Sequence, residues 1–91
     1  PAASYYLVGT FNSWGDAVGN SDYLMVKDEE SGLYQLTLTM AGDTELKVAS
    51  SNNDWFGDAE GNNYKFTGSG KYLFKFSPDN AESHLTWSAV E

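Results

Sequence analysis

Residues 32–40 read GLYQLTLTM, and their alternation decides the fold. Tyr34, Leu36, Leu38 and Met40 fall on one side, while Gln35, Thr37 and Thr39 fall on the other. A period of two belongs to a β-strand with one buried and one wet face; a helix would repeat its apolar residues every three to four. Outward from this stretch the same signal recurs. ELKVAS (45–50) sets Leu46 and Val48 against Lys47, and NYKFT (63–67) sets Tyr64 and Phe66 against Lys65. KYLFKFS (71–77) sets Tyr72, Phe74 and Phe76 against Leu73 and Lys75, and SHLTWSAV (83–90) aligns Leu85 with Trp87. SYYLVGTF (4–11), apolar with β-branched and aromatic residues, and YLMVK (23–27) read as two further short strands without that alternation. No window keeps a helical period over ten residues. Seven or eight short strands separated by Gly, Asn and Asp predict an antiparallel all-β sandwich. EESG (29–32) and MAGDT (40–44) are expected to be tight reversals, the second pairing 33–40 with 44–50. Pro78 suits a turn after a strand, where no N–H is needed.

Size and charge narrow the function. Ninety-one residues make one domain, 1–91, with a thin core and no room for a deep catalytic cavity. The opening PAASYY lacks a methionine, so the expectation is a module excised from a longer, multidomain protein. Thirteen acidic residues against five basic ones give a net charge of −8. All five bases are lysines (27, 47, 65, 71 and 75), so no arginine fork is available for phosphate or guanine. Nucleic acid and membrane contact by this domain are therefore not expected. No cysteine is present, which rules out disulfides and Cys-based zinc sites.

Catalytic constellations are weak. His84 is the one histidine, placed in the last strand and expected at a surface or edge, and no serine sits in a nucleophile elbow. Asp28, Glu29 and Glu30 read as a solvated hairpin tip. DAEGNN spaces Asp58, Glu60 and Asn62 as alternate oxygen ligands, but the glycine and closing glutamate of a calcium loop are missing. A plain turn is the expectation, with no metal, no cofactor and no enzyme activity.

The aromatics in polar loops are the informative feature. FNSWGDAVGNSD (11–22) and SSNNDWFGDAEGNN (50–63) place Trp14 and Trp55 among turn formers, where no strand period claims them for a core. Trp87 does follow a strand period and is expected inside. Flat apolar rings flanked by amides suit a sugar, whose C–H face packs on an indole while its hydroxyls seek hydrogen bonds. Phe56 is as well suited to packing as to ligand contact.

YYLVGTFNSWG, MVKDEESGLYQLTLTMAG, ELKVASSNNDW and GNNYKF together resemble starch- and glycogen-binding modules of the early-set immunoglobulin-like class. The likeness is closest to SusE/SusF-type outer-membrane starch-binding domains and spans roughly residues 5–87. It implies an immunoglobulin-like β-sandwich that binds α-1,4-glucan without catalysis, at the cell surface or outside the cell. By the same resemblance, Trp14 and Trp55 form a bent platform, Lys47 bonds glucose hydroxyls, and Asn62, or else Asn63, does likewise. Asp58 and Glu60 stand where kinase-type glycogen modules carry Leu and Thr, so that contact does not transfer. A flat platform would instead favour β-glucan or xyloglucan. The competing expectation is a structural or adhesive spacer whose loop aromatics pack on a neighbouring domain.

Overall fold

The computed structural model describes residues 3–90. Alternation becomes strand at β1 (Tyr5–Gly9), β2 (Leu24–Lys27), β3 (Tyr34–Met40), β4 (Thr44–Ser50), β6 (Tyr64–Phe66), β7 (Gly70–Phe76) and β8 (Leu85–Ala89). One further strand, β5 (Trp55–Phe56), is two residues long and has no period to betray it. Three short 3-10 turns, Thr10–Asn12, Trp14–Ala17 and Ser21–Tyr23, take up the chain between β1 and β2. All strand pairs are antiparallel, in the order β5-β4-β1-β2-β3-β7-β8, with β6 also paired to β4. The all-β expectation is met.

The immunoglobulin-like division into two separate sheets is not what these strands form. They make a single curled sheet, because β2 belongs to both halves. Its first residues pair with β1 (Leu24 with Tyr6, Met25 with Tyr5), and its last pair with β3 (Val26 with Gln35, Lys27 with Tyr34). The expected 33–40/44–50 hairpin is also replaced. β3 gives its edges to β2 and β7, whereas β4 pairs with β1, β5 and β6. Residues 41–43 therefore cross between the halves, and Asp43 Oδ1 pins the crossing by accepting the Gly68 N–H at 2.8 Å. Both ends of the crossing insert an apolar side chain, Met40 and Leu46, into the same core.

That core lies in the hollow of the curl. Leu7, Leu46, Val48 and Phe66 enter from one half, and Met40, Phe74, Phe76 and Leu85 from the other. Phe66, Phe74 and Phe76 are its largest fully enclosed side chains, each stabilising the fold by about 1.5–3 kcal/mol through burial. Aromatic edges knit the halves: Phe76 lies 5.0 Å from Tyr5 and 5.1 Å from Phe56, and Phe66 lies 5.7 Å from Trp87. Trp87 is half-buried against this core, as its alternation predicts. The curl is latched where its ends approach, the Leu85 N–H donating to the Tyr64 hydroxyl at 3.2 Å.

His84 is more than a surface residue. Its Nδ1 lies 2.8 Å from the Ser77 carbonyl, which can only accept, so Nδ1 donates. The ring packs edge-on to Phe56 at 5.2 Å, closing the β7–β8 connection over the core. At Gly9 the backbone of β1 runs so close to β4 that a Cβ would strike the Glu45 carbonyl oxygen. Only glycine fits there.

The 29–32 reversal forms as expected. Asp28 N–H donates to the Leu33 carbonyl at 2.8 Å and Gly32 N–H to the Asp28 carbonyl at 2.7 Å, with Gly32 at φ +74°. The Ser31 hydroxyl donates to Asp28 Oδ2 at 2.8 Å, and this bond holds the carboxyl below its ordinary range. A lowered carboxyl value stabilises the fold above the unfolded-state value, and the contribution fades as pH falls through the folded one. Ser31→Ala should raise the Asp28 midpoint in an NMR carboxyl titration and weaken the fold at pH 7. Denaturation at a pH below both values should no longer separate the two proteins.

Candidate functional site

Cross-strand partners share a face of the sheet, so register identifies what β4 presents outward. Ala49 is opposite Tyr6 on β1 and Trp55 on β5, Lys47 is opposite Val8, and Glu45 is opposite Lys65 on β6. Lys47 thus points away from the core, as its sequence position predicts. Val8 and Ala49 are nevertheless fully buried, because the Trp14–Ala17 turn folds over them. With Ala17 they form a second small core, flanked by Tyr6, Trp14, Val18 and Tyr23.

Two polar side chains shape the loops that deliver the tryptophans. Asn12 Oδ1 accepts the Gly9 N–H at 2.9 Å, and its Nδ2 donates to the Leu7 carbonyl at 3.0 Å. That clamp turns the chain sharply off β1, and the next two residues are left-handed, Ser13 at φ +63° and Trp14 at φ +52°. A bulky L-residue in this region costs about 1–2 kcal/mol. Ser50, buried at the end of β4, does the equivalent for the second loop. Its Oγ accepts the N–H groups of Asn52 and Asp54, both at 3.1 Å, and its own N–H donates to the Asp54 carbonyl at 2.8 Å. Asn53 inside that turn is left-handed too, at φ +70°. Among the described residues, these three are the non-glycine positions with positive φ, and all sit in the two tryptophan loops.

The strained loops converge. The six-membered ring of Trp55 lies over Gly15, with Cζ2 and Cη2 at 3.8 and 4.0 Å from where a Cβ would stand. Trp55 keeps 40% of its surface exposed, whereas Trp14 is half-buried against Val8, Ala17 and Ala49. Trp14 is therefore partly a packing residue, more so than its polar sequence setting predicts. Phe56, one residue on from Trp55, faces the opposite way into the core, which settles its role as packing.

Asn62 and Asn63 stand further along the same side. Asp58 Oδ1 accepts the Glu60 and Asn62 N–H groups, both at 2.9 Å, and Asp58 N–H donates to the Asn62 carbonyl at 2.8 Å. The 58–62 segment is thus a self-bonded turn packed so tightly on Gly57 that a Cβ there would hit the Asn62 carbonyl. Asn62 is exposed, and its side-chain amide has no partner among the described residues, whereas Asn63 Nδ2 is held by Glu45 Oε1 at 2.8 Å. Trp14, Trp55 and Lys47 thus share one face, with the asparagines at its end. Counting from Ala49 to Glu45, that end is about 14 Å along β4.

Among the described residues no three His, Cys, Asp or Glu side chains gather to hold a metal. Chemically, the face offers one open indole, a second partly open one, a lysine and an uncommitted amide. Asn12 and Ser50 escape sequence reasoning, because an Asn or Ser near a strand end is too common to single out. Ser50→Ala should strand the Asn52 and Asp54 N–H groups and cost about 1–2 kcal/mol in chemical denaturation. Indole fluorescence of Trp55 should shift in the still-folded variant. Comparison with protein-family models, curated proteins and solved structures finds no match for this chain.

Proposed function

We propose that this domain binds α-1,4-glucan without catalysis, stacking sugar rings on Trp14 and Trp55. Lys47 and Asn62 hydrogen-bond the glucose hydroxyls and fix the register, with Asn63 held in reserve by Glu45. The observation that carries the reading is the convergence of two left-handed loops, which bring Trp55 over Gly15 beside Trp14 on one sheet face. Backbone strain is retained where a geometry is needed for function. An exposed indole beside amides and an ammonium suits a neutral polyhydroxyl ligand, and the −8 charge raises no barrier to it. The sequence resemblance to starch-binding modules rests on GTFNSW, Lys47 and the downstream NN. The binding reading depends on the loops and not on whether the scaffold divides into two sheets.

Two stacked rings and a few solvent-facing hydrogen bonds leave about 4–7 kcal/mol after association costs, or roughly millimolar to ten micromolar affinity. Retention on starch at the cell surface or outside the cell would then draw on companion modules in a longer chain.

Native gel electrophoresis through amylopectin, glycogen and xyloglucan, against a sugar-free gel, tests the proposal. The wild-type domain should be slowed in the two α-glucans only, and Trp55→Ala should run freely. Trp14→Ala should also run freely, with a fold loss of about 1–2 kcal/mol from its half-buried packing. Unchanged mobility in every gel would overturn the proposal in favour of a spacer whose aromatics meet a neighbouring domain.

A further inference from the structure

Beyond the tryptophan face, the sheet carries a concavity. A shallow depression of about 620 Å³ lies at the edge where β6 approaches β8, lined both by outward residues of β4 and β6 and by core-side rings. Glu45, Asn63, Lys65 and Trp87 form its working surface, with Tyr64 and Asp58 beside them, and Asn62 of the proposed binding face borders it too. Trp87 was expected to serve the core alone. Half-buried, it packs on Phe66 and Phe74 and also lines this hollow.

The hollow carries two carboxylates, Glu45 and Asp58, against one lysine. Glu45 and Lys65 are cross-strand partners of opposite charge, and the excess of one negative charge is unfavourable for an anion. Asp58 already spends one carboxylate oxygen on its own turn, and Glu45 accepts from Asn63 at 2.8 Å. What remains is an aromatic wall with an ammonium and amide groups around it, the composition that receives a neutral sugar ring. Along β4 the outward residues run Ala49, Lys47, Glu45, so Lys47 stands between Trp55 and the hollow.

We infer that this depression is an additional sugar subsite, taking a further unit of the same glucan chain that lies on Trp14 and Trp55. The inference rests on the α-glucan reading above. A bound chain would follow β4 from the tryptophan face past Lys47, and Trp87 would be its third aromatic contact. Short oligosaccharides would fill the face alone, and longer ones would reach the hollow.

The chain has three tryptophans, so an NMR spectrum of indole Nε1–H groups gives each contact its own signal. Titration with maltotriose should move Trp14 and Trp55, and titration with maltoheptaose should move Trp87 as well. Lys65→Ala should lower maltoheptaose affinity about five- to tenfold while leaving maltotriose affinity unchanged. Shifts at Trp14 and Trp55 with both sugars, but never at Trp87, would overturn the subsite and leave the glucan reading standing. Shifts at Trp87 alone would overturn the idea of one continuous chain and count against the platform. No shift with either sugar would remove both proposals.

Discussion

The whole arrangement depends on β4 having both of its faces committed. Leu46 and Val48 drive one face into the core, and burial of two such side chains holds the strand in register by several kcal/mol in total. A slip by one residue would turn Lys47 inward and Leu46 out. Because that register is locked, Ala49 is fixed opposite Trp55, Lys47 opposite Val8, and Glu45 opposite Lys65. The proposed binding face is thus the reverse side of the core.

Its precision comes from the loops. Asn12 and Ser50 satisfy backbone groups that the sharp exits from β1 and β4 would otherwise leave unpaired. Those bonds offset the left-handed conformations of Ser13, Trp14 and Asn53. Trp14 then does two jobs, since its inner edge seals Val8, Ala17 and Ala49 while the turn it begins sets Gly15 beneath Trp55. On the proposed reading, stability and binding are coupled at that residue, and much less so at the more exposed Trp55.

Much of this was legible in the residues. The patterning of 32–40 and its neighbours specified seven of the strands and, in the five that alternate, which side is apolar, because burial imposes the period directly. Connectivity was less visible. MAGDT has hairpin chemistry, yet turn residues do not say whether the next strand pairs with the last or crosses to the far half; hydrogen-bonding partners elsewhere on β3 decided it. The sharing of β2 between the halves, which makes one curled sheet instead of a two-sheet sandwich, is likewise a matter of pairing. The loop tryptophans stood out from their polar setting, and Lys47 from its period. Positive φ at Trp14 and the second exposure of Trp87 were hidden, since both arise from tertiary contacts.

On the proposed reading, one glucan chain touches both loop tryptophans at once. Intermolecular nuclear Overhauser contacts between maltoheptaose C–H protons and the indole rings test it most directly. Contacts are expected from the bound sugar to both Trp14 and Trp55, with stronger ones to the more exposed Trp55. Contacts to one indole alone, or to neither, under saturating sugar would refute that reading.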